Sequence, residues 1–174
     1  MSVIQVQTDA RGVATVTLAR AEKHNALSAD MMTELEQVAR DLAQDRSVRV
    51  VVLAAEGKTF CAGGDLAWMR EQFDMDPDTR RTESRRIATV LGALYDLPHP
   101  LIGRVQGNAL GGGVGLVSVC DVAIGVTGAK LGLTETRLGL LPANIGPYVL
   151  ARMGATRASE VFMSARVFDA DEAV

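Results

Sequence analysis

Apolar and polar positions alternate along "VIQVQTDARGVATVTLAR" on both sides of "DARG", a period-two pattern that predicts a hairpin of Val3 to Val6 and Val13 to Leu18. From Ser28 the spacing lengthens to that of a helix. Met31 or Met32, Leu35, Val38 and Leu42 fall on one face behind Ser28 as N-cap, with an end expected near Asp45. The run "VRVVVLAA" (48 to 55) has almost no polar break, as in a parallel strand covered on both faces. Asp78 to Tyr95 predicts a second amphipathic helix, polar and arginine-rich at first (Arg80, Arg81, Arg85, Arg86), then apolar (Ile87, Leu91, Leu94), and stopped before Pro98. Further strands are expected in "LIGRVQG" (101 to 107), "DVAIGV" (121 to 126) and "KLGLTE" (130 to 135), with a glycine-opened helix in "GGGVGLVSVC". The alternation of strand and helix defines an α/β fold, in one domain over residues 1–174.

Composition narrows the function more than the fold. The chain has 174 residues, 48% of them hydrophobic, and a formal net charge of −3 with no block of like charge. That balance excludes a disordered chain and gives no nucleic-acid-binding arm. Cys61 and Cys120 are the two cysteines, far apart and without a CxxC partner or histidine cluster, so neither a disulfide framework nor a metal site is expected. The N-terminus lacks a basic segment followed by an apolar one, and no stretch reaches the roughly 18 apolar residues of a membrane span. A cytoplasmic location is the expectation.

Two segments carry candidate chemistry, "KTFCAGGDL" (58 to 66) and "VQGNALGGGVGL" (105 to 116). In each, an apolar strand runs into a turn of small residues whose backbone N–H groups lack intrahelical partners and are free to donate to an oxygen bearing negative charge. Glycine lets a ligand approach that closely, although tight helix packing would also require it. A dinucleotide fingerprint is excluded because Leu116 stands where Gly111 and Gly113 would require a glycine. "GKT" (57 to 59) is no phosphate loop, since Val52 occupies the position of its first glycine. His24 and His99 have no triad partners, and no GxSxG elbow exists.

With "EKHNALS" (22 to 28), "LTETRLGLLP" (133 to 142) and the closing "ARVFDADEAV", these segments resemble the enoyl-CoA hydratase/isomerase (crotonase) family along essentially the whole chain. The wording of "GGGVGL", "LTETRLGLLPA" and "GPYVL" resembles the branch that includes methylglutaconyl-CoA and isohexenylglutaconyl-CoA hydratases. The resemblance implies a spiral of ββα turns and an oxyanion hole of two backbone N–H groups, which fall on Ala62 and Gly112. It implies an acyl-CoA thioester as substrate, no separate cofactor and no metal. Contacts to that substrate are expected from Lys23, Ala62, Gly63, Gly64, Asp65, Leu66 and Gly112. Asp65 and Asp121 are expected to order their loops. Trp68 and Met69 fall where the family lines its acyl pocket, or in ordinary core, and the arginines of 80 to 86 are expected on a solvated face.

Hydratases of this family carry two glutamates, and here the first position is Gly115 while the second is Glu135. Glu135, flanked by apolar residues, is the expected general acid/base, with a pKa raised by partial burial. One carboxylate leaves hydration, double-bond isomerisation and a non-catalytic acyl-CoA-binding or partner-binding role open. Gly115 would make room for a bulkier, branched or carboxylated acyl chain. Family members continue with C-terminal helices that contribute to trimers, so this chain is expected to lack that region, to end inside the start of a helix, and to form a homotrimer or hexamer where the region is present.

Overall fold

In the computed structural model, which describes residues 2–174, strands β1 (Ile4–Thr8) and β2 (Val13–Leu18) form the expected antiparallel hairpin, with Ile4 opposite Leu18. Asp9 Oδ1 closes its turn by accepting the Arg11 and Val13 amides. A single 3-10 turn (Ala21–Lys23) leads to helix α1 (Ala29–Gln44). Ser28 caps α1 by accepting the Met31 amide, one of the donors left over at any helix start. The buried stripe of α1 is Met31, Met32, Leu35, Ala39 and Leu42.

Next the chain makes three strand–strand turns, each followed by helix. Strands β3 (Val50–Ala55) and β4 (Thr59–Cys61) precede helices α2 (Leu66–Glu71) and α3 (Pro77–Tyr95). Strands β5 (Leu101–Val105) and β6 (Asn108–Leu110) precede α4 (Gly112–Ser118). Strands β7 (Val122–Gly125) and β8 (Lys130–Gly132) precede a 3-10 turn (Glu135–Leu138) and α5 (Gly146–Ser164), which is interrupted at Gly154. The first strand of each pair enters one sheet, ordered β1-β2-β3-β5-β7. The second enters another, ordered β4-β6-β8 and completed by the short β9 (Val167–Asp169). This is a spiral of ββα turns. It places the ends of β4, β6 and β8 side by side, so the turns that follow them share one edge of the fold.

The core lies between the sheets and helices, with Leu53, Phe60, Leu91, Leu101 and Leu116 fully buried. Helix α4 runs through it and is buried from Gly112 to Leu116. The expectation that the 48–55 strand is covered on both faces holds fully on one face and partly on the other. Val51 and Leu53 are buried, while on the other face Ala54 is buried and Val50 and Val52 are partly covered; β7, at the sheet edge beyond β5, is exposed throughout. At the end of the chain, residues 170–173 form a single turn in place of the expected helix start. No helix among the described residues is long and apolar enough to cross a membrane.

Candidate active site

The site begins with a buried asparagine. Asn25 is 0% exposed; its Oδ1 accepts the Arg20 amide, and its Nδ2 donates to the Glu56 and Thr59 carbonyls at 2.9 and 2.8 Å. Both His24 and Asn25 have left-handed φ values (52° and 51°), a conformation asparagine and histidine tolerate better than most side chains. The bend turns the His24 carbonyl toward the end of β4, where it accepts the Ala62 amide at 3.0 Å. Leu27 then donates to the Gly63 carbonyl at 2.8 Å and accepts the Asp65 amide at 3.1 Å.

Every amide of the 62–65 turn but one is engaged within the protein. Ala62 is committed to His24, Gly63 faces Cys61 Sγ at 3.5 Å, and Asp65 is committed to Leu27. Because Leu27 bonds the groups on either side of Gly64, the Gly64 N–H faces away from it and meets no protein acceptor among the described residues. The expectation that Ala62 supplies a free donor is therefore corrected: its amide is already spent, and the uncommitted one lies two residues on, at Gly64.

Gly112, the other expected donor, is the first residue of α4, where an N–H has no intrahelical acceptor, and it too meets none elsewhere among the described residues. Gly111 before it adopts φ 49° and ψ −117°, a conformation that demands glycine, while its own amide ties the turn to the Gly132 carbonyl of β8. A Cβ on Gly112 would lie 3.6 Å from Gly63 Cα and 3.8 Å from Gly63 C. The peptide that carries the Gly64 N–H thus lies against the residue that carries the other. A Cβ on Gly113 would overlap the Cys61 carbonyl oxygen, so the glycine run is also what lets α4 seat against β4.

Glu135 follows β8 and opens the 3-10 turn. Its Oε1 lies 3.1 Å from the Cβ position of Gly111, which sets the carboxylate directly over the turn that offers the Gly112 amide. Its Oε2 is buried and has no hydrogen-bond partner among the described residues. Burial pushes the Glu135 carboxyl above its ordinary pKa, only partly opposed by a backbone N–H. A carboxylic group held this way accepts and returns a proton more readily near neutral pH than a solvated one.

Gly115 lies one turn along α4 from Gly112. The space beside it is filled: a Cβ there would sit 2.8 Å from Ile145 Cγ2 and 3.0 Å from Leu91 Cδ1. Both of these side chains are buried. The expectation that Gly115 opens room for an acyl chain is corrected accordingly, since two apolar side chains occupy that room. Nothing in the sequence near Gly115 signals Ile145, which arrives from the loop before α5.

Among the other expected residues, Asp65 caps α2 by accepting the Ala67 and Trp68 amides, and its Oδ2 takes the Arg20 guanidinium at 2.8 Å. Burial raises its carboxyl, but Arg20 and the two amides outweigh that and hold it below the ordinary range. Asp121 accepts the Leu101 amide at 2.7 Å. Asp65 orders its own turn, as expected, and Asp121 has the structural role expected of it by holding the start of β5. Lys23 is exposed beside His24, at the rim of the turn. Gly63, with φ 94°, is buried beneath Gly111 and Gly112, and Leu66 is 68% exposed at the start of α2. Trp68 is buried and, with Met69, packs against Gly64. Arg80, Arg81 and Arg85 of α3 are exposed, as expected, with Arg80 also holding the carbonyls of 72, 73 and 75, whereas Arg86 is half-buried in a network. Both cysteines are buried, which pushes each thiol up to about 12.

Two glycine turns presenting free amides beneath a half-buried glutamate, on a spiral of ββα turns, define a protein of the crotonase fold. Residues 8–174 match the family model described as enoyl-CoA hydratase/isomerase, and the chain belongs to that family. It is 34% identical over 175 residues to the mitochondrial methylglutaconyl-CoA hydratase of Mus musculus, covering 99% of this chain and 55% of that protein. Among solved structures it superposes on an enoyl-CoA hydratase from Shewanella pealeana with a TM-score of 0.94 and 37% identity, covering 98% of this chain and 64% of that one. Pseudomonas aeruginosa AtuE gives a TM-score of 0.94 and 39% identity, over 98% and 66%. The chain thus spans between half and two thirds of the length of these relatives.

Proposed function

We propose that the protein adds water across the double bond of an enoyl-CoA thioester, with the Gly64 and Gly112 amides as oxyanion hole and Glu135 as the single acid/base. The observation that carries this reading is the pair of uncommitted amides lying against one another under a carboxylate whose Oε2 is buried without a partner. Water attacks the β-carbon while Glu135 takes its proton, and the electrons of the double bond move onto the thioester oxygen. The two amides meet that developing charge, each worth about 2.7–4 kcal/mol in such a setting. The enolate then collapses as Glu135 returns the proton to the α-carbon. Coenzyme A enters as part of the substrate.

The likeness to methylglutaconyl-CoA hydratase supports a branched or carboxylated acyl chain as the preferred substrate. Turnover is read from loss of enoyl-CoA absorbance, comparing crotonyl-CoA with methylglutaconyl-CoA and wild type with Glu135→Gln. Hydration that disappears in Glu135→Gln supports the reading. A wild type that only shifts double bonds makes it an isomerase, and one that binds acyl-CoA without turnover makes it a binding protein; either result overturns the proposal.

A further inference from the structure

Gly64 lies inside a closed circuit of contacts, and most of its members have no part in the chemistry above. Trp68, on the first turn of α2, packs its Cζ3 edge 4.0 Å from the Cβ position of Gly64, next to Met69 Sδ at 3.1 Å. The Trp68 indole N–H donates to Glu83 Oε2 of α3 at 3.1 Å. The same oxygen takes Arg86 Nη1 at 3.1 Å, and Arg86 Nη2 reaches across to the Ala29 carbonyl at 2.8 Å and to Thr33 Oγ1. Ala29 opens α1 two residues after Leu27, whose backbone grips the residues on either side of Gly64. The circuit therefore runs from the Gly64 turn through α2, α3 and the start of α1, and returns to the turn.

We propose that Glu83 is a positioning residue for the oxyanion hole: by holding the Trp68 indole and Arg86 together, it keeps α2 seated on the turn and fixes the direction of the Gly64 amide. The inference rests on the function proposed above. Gly64 itself has no side chain, and the covalent neighbours of its amide are another glycine, with a left-handed φ, and an aspartate. Its orientation is therefore set from outside, by the Leu27 bridge on one side and by the Trp68 and Met69 side chains that pack on it from the other. Glu83 is the one acceptor shared by both partners, and its carboxyl is held below the ordinary range first by the indole N–H and then by Arg86, against the opposing effect of burial. A misplacement of about 1 Å at a reacting group can cost on the order of 10²-fold in rate.

The test compares wild type, Glu83→Ala, Glu83→Gln and Trp68→Phe for kcat, KM and the red shift in absorbance of a bound conjugated acyl-CoA such as hexadienoyl-CoA. The red shift reports polarisation of the thioester carbonyl, which a purely structural role would leave unmoved. Glu83→Ala is expected to lower kcat by about 10–100-fold with KM little changed and to diminish the red shift. Glu83→Gln, which keeps an acceptor for the indole, is expected to recover most of both. If Glu83→Ala fails to fold, Trp68→Phe removes both the indole N–H and the Cζ3 edge that packs on Gly64, and the same losses are expected. A Glu83→Ala protein (or, failing that, Trp68→Phe) with wild-type kcat and red shift overturns the proposal, as does a Glu83→Gln protein as damaged as Glu83→Ala. A wild type that binds the probe without any red shift counts instead against the oxyanion reading itself.

Discussion

Gly115→Ala places one methyl group into a site already closed by two others. Its Cβ would meet Ile145 Cγ2 at 2.8 Å and Leu91 Cδ1 at 3.0 Å, where carbon atoms prefer about 3.5–4.0 Å. Both neighbours are buried, at 3% and 0% exposure, and cannot swing into solvent. Overpacking of this kind costs about 1–3 kcal/mol, and alanine recovers about 1 kcal/mol of helix propensity over glycine. A net loss of about 0–2 kcal/mol is expected. The size alone does not discriminate, so the assay is a double-mutant cycle with Ile145→Ala, by urea denaturation at constant m-value. Ile145→Ala alone should cost about 2–5 kcal/mol, and the pair should cost less than the sum by about 1–2 kcal/mol, because the new methyl fills part of the cavity. An additive cycle, or a Gly115→Ala protein more stable than wild type, would refute the packing argument. In that event the space beside Gly115 is open after all, and the case for Glu135 acting alone loses its structural support.

Glu135→Gln should lower kcat by about 10²–10⁴-fold while leaving acyl-CoA binding nearly intact, measured by turnover and by calorimetry. Because burial raises the folded-state pKa of Glu135 above its unfolded value, the folded state binds the extra proton, and wild-type stability falls as pH rises between those two values. Glu135→Gln should therefore be more stable than wild type at neutral pH, with the advantage vanishing below the unfolded carboxyl pKa; a pH-independent difference in melting temperature would contradict this. Cys61 and Cys120, buried and with thiols at about 12, should resist a thiol reagent at pH 8 in the native protein and react together on unfolding. Asn25→Ala removes the partner of the Arg20 amide and of the Glu56 carbonyl, while the Thr59 carbonyl keeps Gln106 Nε2, and should cost about 1–3 kcal/mol in denaturant titration.

The parts of this structure that were legible in the sequence are those written in side-chain periodicity. The hairpin, the Ser28 cap with α1, and α3 all sit within a residue or two of where the apolar pattern puts them. The short strands β4 and β6 are too brief to show a period, and they take their identity from pairing with each other. Helix α5 is broken at Gly154, which blurs its apolar face. At the site, Gly112 and Glu135 came from the family resemblance and not from any periodicity, and the structure brings the two together. The choice between Ala62 and Gly64 was not legible, because every residue in that turn carries an N–H and its direction depends on the Leu27 bridge and the His24 carbonyl. Filling of the Gly115 space was hidden for a similar reason: Ile145 reaches it through the fold from thirty residues away.

A crystal structure with an unreactive acyl-CoA thioester bound would test the central claim most directly. The account predicts the thioester oxygen within hydrogen-bonding distance of both the Gly64 and Gly112 amides, the Ala62 amide still on the His24 carbonyl, and the Glu135 carboxylate facing the α- and β-carbons. A thioester oxygen held by any other pair of donors, or an acyl chain lying away from Glu135, would contradict it.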